Sequence, residues 1–190
     1  MARWDMSMIA MKLLRSTTTV LLISTLAGTE PRAAPPAGPH LGRPAGAAEI
    51  AAWDTDIMPD GRGLPAGAGS VAEGRVLYAR HCLRCHGENG VGDSGDQLAG
   101  AQMDLTSEWP EKTIGNFWPF APTLFDFIRR SMPMETPGSL TDDEVYALTA
   151  YLLHLNDIVP GNAVLNAGSL AKIRMPNRDG FVDEYPEGRR

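Results

Sequence analysis

Two cysteines three positions apart, followed at once by a histidine, constrain this chain more than any other feature of its 190 residues. The motif is Cys82-Leu-Arg-Cys85-His86, and it holds both cysteines of the sequence. Its spacing lets each thiol reach a different vinyl group on one porphyrin edge, while the adjacent histidine ligates the iron from the proximal side. Since the motif occurs once and no internal repeat is present, it predicts one covalently bound haem c.

Other uses of a Cys-x-x-Cys pair fit the sequence less well, among them a zinc site, a structural disulfide and a redox-active dithiol. A zinc site would need two further ligands, and of His40, His81 and His154 only His81 is near the pair. A thiol oxidoreductase would have a strand before the pair and a helix after it, whereas here a helical pattern precedes and a glycine-rich stretch follows. We expect His81 to be a solvated neighbour of the haem or to lie on its propionate side.

Residues 1–34 have the pattern of a secretory signal. Lys12 and Arg15 precede an apolar run at 20–27, and together they have the charge and length of a signal peptide rather than a membrane span. The alternative is an uncleaved membrane anchor. Export agrees with the haem motif, because thioether attachment takes place outside the cytoplasm in bacteria. The predicted location is therefore the periplasm.

Residues 35–48 are dominated by proline, glycine and alanine, which cannot sustain a helix or a sheet ladder, so we predict a linker.

The formal net charge of the chain is −6. The predicted signal carries four basic and two acidic residues, so its removal leaves −8. An acidic mature chain argues against binding to nucleic acid or to an anionic membrane surface, and we expect no membrane insertion of the mature chain.

Helical patterns fill residues 49–158, where strand signals are nearly absent, and they predict an all-α domain. Gly74 and Tyr78 on the first helix are expected to face Tyr151 on the last, in a tight crossing that the glycine permits. The predicted helices run from Val71 into Cys82 with Ser70 as N-cap, over 123–130, and from the capping box Thr141-Asp142-Asp143-Glu144 to Asn156.

A second axial ligand would decide whether the haem mainly passes electrons or binds small molecules. Of the nine methionines, four lie in the predicted signal. Met132 has the strongest position among the others, in a Met-Pro pair between the second and third predicted helices. Its neutral thioether would favour ferrous iron and raise the reduction potential. We expect Met132 to be the distal ligand, with Met134 as the near alternative and Met175 as a distant one.

The attachment motif at 82–87, the pair Met132-Pro133 and the segment 140–152 together resemble a class I cytochrome c. These motifs cover most of residues 71–156. The resemblance implies the class I fold, with a single haem domain between extended N- and C-terminal segments. It also implies that the two cysteines form the thioethers, that His86 is the proximal ligand and that Met132 is the distal one.

A narrower resemblance rests on the segments 112–130, Trp53-Asp54 and 175–181. They are similar to the haem c subunits of sulfur-oxidising and sulfite-oxidising molybdenum dehydrogenases, which accept electrons from a molybdopterin subunit. The resemblance implies the same role here, as a subunit that is not catalytic alone and that passes electrons to a downstream cytochrome c. Some sulfur dehydrogenase subunits carry a second haem domain, for which this sequence shows no motif.

Aromatic residues between the haem motif and the predicted distal methionine are expected to separate the porphyrin from water or to pack as ordinary core. Arg129 and Arg130 are expected near the exposed haem edge, where they would pair with propionates or steer an acidic partner, unless they are a solvated helix end. The aromatic residues are Trp109, Phe117, Trp118 and Phe120.

The polar tail, residues 159–190, is predicted to be an extended arm that wraps back over the helical domain or docks along a partner.

The leading functional hypothesis is electron transfer in a sulfur-compound dehydrogenase. A freely diffusing carrier for a terminal oxidase or another dehydrogenase is the first alternative. A haem enzyme or gas sensor with an open distal site is the second.

Overall fold

The structure is a computed structural model, which describes residue 38 and residues 41–182. The chain divides into two compact units, residues 1–45 and 46–190. In the first unit the described residues are exposed and form neither helix nor strand. The predicted signal peptide, residues 1–34, lies outside the described residues, as does part of the predicted linker.

The second unit is mostly helical, which confirms the predicted fold class, and it adds two short strands that the sequence did not indicate. The elements in chain order are α1 (Ala47–Trp53), β1 (Ala68–Ser70), α2 (Val71–His81), α3 (Leu83–His86), a 3-10 turn (Glu88–Gly90), α4 (Ile114–Phe117), α5 (Ala121–Ser131), α6 (Asp142–Leu155), β2 (Val164–Asn166) and α7 (Ala167–Leu170).

Capping boxes begin the two helices that the sequence predicted most clearly. At α2 the backbone N–H of Glu73 donates to Ser70 Oγ at 3.2 Å, and the Ser70 N–H donates to the Glu73 carboxylate at 2.8 Å. Thr141 and Glu144 make the same reciprocal pair at the start of α6. Each pair satisfies backbone donors that the first turn of a helix would leave unbonded, so these starts are set locally.

Helices α2 and α6 cross at Gly74, as predicted. A Cβ atom added to Gly74 would lie 1.9 Å from the Ala147 carbonyl oxygen and 2.7 Å from Tyr151 Cβ, so only glycine permits this approach. Beside the glycine, the rings of Tyr78 and Tyr151 pack with centroids 5.3 Å apart. The crossing brings the helix that precedes the attachment motif against the most buried helix of the fold.

The described part of the tail packs on the helices. It therefore wraps back over the helical domain, the first of the two arrangements that the sequence suggested. Strand β2 pairs antiparallel with β1, with Gly69 opposite Leu165. Leu170 and Met175 are almost fully buried in the same core as α2, α5 and α6. The predicted extended arm includes a short helix, Ala167–Leu170, that the sequence did not indicate, and the Asn166 side chain caps its first turn.

Among the described residues, no helix is both long enough and apolar enough to cross a bilayer.

Candidate functional site

The residues that the sequence singled out as haem ligands share one cavity of about 600 Å³. Cys82, Cys85 and His86 line it from one side of the fold, and Met132 lines it from the loop after α5. The rest of the lining comes from loops and from an apolar set of side chains on α4, α5 and α6, in particular Ile114, Leu124, Ile128, Leu148 and Leu152.

The attachment turn follows directly from the end of α2. The Cys82 N–H donates to the Tyr78 carbonyl at 2.9 Å, and α3 then carries Cys85 and His86 on a single helical turn. Residues three positions apart on a helix lie on the same face, so both thiols are presented to the cavity together. Both are free cysteines.

The imidazole of His86 is oriented by the backbone of the glycine-rich stretch. Its Nδ1 lies 2.7 Å from the carbonyl oxygen of Asp96, and because a carbonyl can only accept, Nδ1 carries the proton. In the neutral imidazole this tautomer places the lone pair on Nε2, the arrangement a metal-ligating histidine needs. The loop fits closely, since a Cβ on Gly95 would lie 3.0 Å from His86 Cε1.

The three candidate methionines differ sharply in their surroundings. Met132 is partly buried against the core at the C-terminal end of α5, where its N–H donates to the Ile128 carbonyl at 3.0 Å. Met134 also lines the cavity but is 72% exposed. Met175 is 1% exposed within the core and is not among the lining residues, which argues against it as a ligand.

Two of the four predicted aromatic residues line the cavity. Phe117 and Trp118 form part of its wall. Trp109 is 75% exposed, so neither predicted role fits it. Phe120 does not line the cavity; it is half-buried, and the centroid of its ring lies 4.3 Å from the Arg178 guanidinium carbon. The tail therefore packs against the Phe120 ring, one of the aromatic side chains that we expected near the porphyrin.

Arg129 and Arg130 do not line the cavity either. Arg129 Nε pairs with Asp142 at 2.8 Å, and Arg130 makes a two-point contact with the largely buried carboxylate of Asp126. Both arginines thus stabilise the ends of α5 and α6 instead of facing the cavity. Sequence reasoning missed Lys112, the one lysine or arginine in the lining among the described residues.

Lys112 lies before α4, with its Nζ 5.1 Å from the centroid of the Phe117 ring. No local pattern marks it, because its position depends on how the segment before α4 folds over the cavity. His81, expected as a neighbour of the haem, does line the cavity.

Burial raises the pKa of the Cys82 thiol to about 11, with a further contribution from the nearby Cys85. Without a bond to haem, Cys82 would therefore be a protonated thiol at neutral pH. Catalytic dithiols instead lower the pKa of their attacking cysteine to generate thiolate. The raised pKa of Cys82 argues against a thiol oxidoreductase.

The family model for cytochrome c matches residues 71–156. A chain of the solved sulfane dehydrogenase SoxCD from Paracoccus pantotrophus is 43% identical, with a TM-score of 0.72, and the match covers 78% of this chain and 74% of that one. The chain belongs to the cytochrome c family. This cytochrome is also 31% identical over 113 residues to the thiosulfate dehydrogenase of Stutzerimonas stutzeri (strain A1501). That match covers 58% of this cytochrome but only 35% of the relative, so the chain spans about a third of that protein's length.

Covalently bound haem c is the cofactor of this cytochrome, and the donor set fits it. Two free thiols on one helical turn can form the thioethers, and an imidazole with a free Nε2 follows them directly. A thioether from a separate loop faces the same apolar cavity. Membership of the cytochrome c family supports electron transfer as the role of this protein.

Proposed function

We propose that this cytochrome is the redox subunit of a periplasmic molybdenum dehydrogenase for sulfite or another sulfur compound, and that it passes its electrons to another cytochrome c. The extent of the match with the sulfane dehydrogenase chain carries the proposal. The general family model spans residues 71–156, less than half of the sequence, whereas that match covers 78% of it. The likeness to a dehydrogenase thus includes segments outside the general cytochrome pattern.

In this proposal Cys82 and Cys85 form the thioethers, His86 is the proximal ligand through Nε2, and Met132 is the distal ligand. The bound haem supplies a single-electron couple between ferric and ferrous iron. The chain's own contribution is to hold the ligands in both states. The Asp96 carbonyl fixes the imidazole, and the apolar walls exclude water.

Export to the periplasm is part of the proposal. Residues 1–34 would be the secretory signal, 35–48 the linker, 49–158 the haem domain and 159–190 the C-terminal arm. The positive end and short apolar run of the leader support export, and so does the chemistry of thioether attachment. No interaction with nucleic acid is proposed, because the mature chain is acidic.

Gentle purification from the native periplasm tests the proposal, with haem absorbance, molybdenum content and co-eluting chains recorded for each fraction. We expect a stoichiometric molybdenum-containing subunit whose sulfur substrate reduces the haem. A lone, reducible haem protein without molybdenum would contradict it and favour a diffusing carrier. Carbon monoxide binding to the reduced protein at neutral pH would indicate an open distal site, and with it a haem enzyme or gas sensor.

A further inference from the structure

The loop that carries the proposed distal ligand is held to the rest of the fold by few polar contacts. Residues 134–139 are all exposed. The hydrogen bonds of the loop are internal, with Thr136 N–H donating to the Pro133 carbonyl at 2.9 Å and Ser139 N–H donating to the Thr136 carbonyl at 3.3 Å. Among the described residues, Arg84 is the one side chain outside this loop that makes an ion pair or hydrogen bond with residues 133–139.

Arg84 pairs with Glu135 across the edge of the cavity. Arg84 lies in α3, between the two cysteines of the attachment motif, and Glu135 lies three residues after Met132 and lines the cavity. The pair spans 51 residues of sequence. It therefore joins the wall that presents His86 to the loop that presents Met132.

The strength of the Arg84–Glu135 ion pair determines which equilibrium it can shift. The Arg84 side chain is 79% exposed and that of Glu135 is 54% exposed, and ion pairs at such positions contribute little to global stability. The opening of an exposed loop is a local equilibrium with a small free energy of its own. A weak contact that exists only in the closed loop can therefore change the closed fraction measurably.

We propose that the Arg84–Glu135 ion pair is a positioning pair, which holds the loop of Met132 closed against the attachment turn and so favours methionine over solvent-borne ligands at the iron. The inference rests on the proposed assignment of Met132 as distal ligand. Neither charged residue contacts the iron. Their effect acts through the loop alone.

Imidazole titration of the ferric, haem-loaded protein tests the inference, because imidazole binds only where the methionine has left. The loss of the far-red sulfur-to-iron absorption band reports the exchange. We expect Glu135→Gln and Arg84→Gln each to tighten imidazole binding by up to about fivefold at low salt. The double variant should bind no tighter than either single variant, because both changes break the same contact.

A matched control is Asp60→Asn, which breaks the exposed Arg62–Asp60 pair outside the cavity lining. We expect no change in its imidazole affinity. The effect of Glu135→Gln should also disappear in 1 M salt, where the screening length falls to about 3 Å. An unchanged affinity for Glu135→Gln, an equal change for Asp60→Asn, or additive effects in the double variant would overturn the inference.

Met132→Ala separates this inference from the assignment on which it rests. If Met132 is the ligand, this variant binds imidazole far more tightly than the wild type, whatever stands at position 135. If its affinity equals that of the wild type, the ligand assignment fails and the positioning pair fails with it. If Met132→Ala shows the expected change and Glu135→Gln does not, only the positioning pair is overturned.

Discussion

Asn156 joins the C-terminal end of α6 to Leu98, 58 residues earlier, through a 3.1 Å hydrogen bond from its Nδ2 to the Leu98 carbonyl oxygen. The same side chain accepts a hydrogen bond from the Gly115 N–H at 3.0 Å. Leu98 and Ile114, the neighbour of Gly115, both line the cavity. One asparagine therefore fixes two cavity walls relative to the most buried helix.

Replacing Asn156 by alanine should lower the free energy of unfolding by about 1–2 kcal/mol, because the Gly115 N–H loses its partner in a partly buried position. Urea unfolding of the haem-loaded protein measures the change. Asn162→Ala is the control, since Asn162 is exposed, and we expect it to stay within about 0.5 kcal/mol of the wild type. Equal effects for the two variants would contradict the role of Asn156.

Gly74→Ala should destabilise the fold by about 1–3 kcal/mol, because its Cβ would meet the backbone of α6. Helix propensity alone predicts the opposite sign, since alanine is favoured over glycine within a helix by about 1 kcal/mol. The sign of the change in thermal unfolding temperature therefore decides between the two effects. Ala79→Gly, at an exposed position of the same helix, shows the propensity effect by itself.

Met132→Ala should remove the far-red sulfur-to-iron band, lower the midpoint potential and allow carbon monoxide to bind the reduced protein, because it removes a soft, neutral ligand. Met134→Leu is the matched control at the rim of the same cavity, and we expect its band and potential to equal those of the wild type. Loss of the band in Met134→Leu but not in Met132→Ala would assign the ligand to Met134.

Alkaline pH should destabilise the protein through two buried tyrosines. Burial raises the pKa of Tyr78 and of Tyr146 to about 12, against an ordinary value of 10. Between these pH values the folded state keeps protons that the unfolded state has lost, so the free energy of unfolding falls as pH rises from about 10 to 12. Their hydroxyls donate to the carbonyls of Gly87 and Pro65, each at 2.8 Å.

Urea unfolding between pH 9 and 12, with tyrosinate absorbance followed in parallel, measures this dependence. Tyr146→Phe should reduce the slope by removing one of the two groups. A free energy of unfolding that is flat over this range would contradict the expected dependence.

Leu170→Ala should cost about 2–5 kcal/mol, because Leu170 is fully buried in the core shared with α6. Val164→Ala provides a control within the same tail, since Val164 is 57% exposed. A Leu170→Ala variant as stable as Val164→Ala would show that the tail does not contribute to the folded core.

The parts of the fold that the sequence predicted are those determined over a few residues. Ser70 with Glu73, and Thr141 with Glu144, form their capping boxes within one turn, so the starts of α2 and α6 can be recognised without knowledge of the rest. Helix α5 begins at Ala121, two residues earlier than predicted, because Pro122 is accommodated in its first turn, where no backbone donor is needed.

The parts that escaped prediction depend on distant contacts. Strands β1 and β2 are each three residues long and pair across the whole haem domain, so neither carries a periodic pattern. Phe120 and Trp118 are both aromatic, yet only Trp118 lines the cavity, while Phe120 packs against Arg178 of the distant tail. The position of Lys112 at the cavity likewise depends on the path of a loop.

Leu165, Leu170 and Met175 belong to the hydrophobic core but lie outside the part of the chain that the family model matches. Residues 71–156 are the part that the cytochrome c family shares, and they contain every proposed ligand. The hydrophobic core continues past them at both ends, to Ile57 on one side and Met175 on the other. A gene fragment cut at the family boundaries would keep the whole haem-binding chemistry and lose part of the interior that supports it. We therefore expect residues 71–156 alone to be less stable than the longer chain.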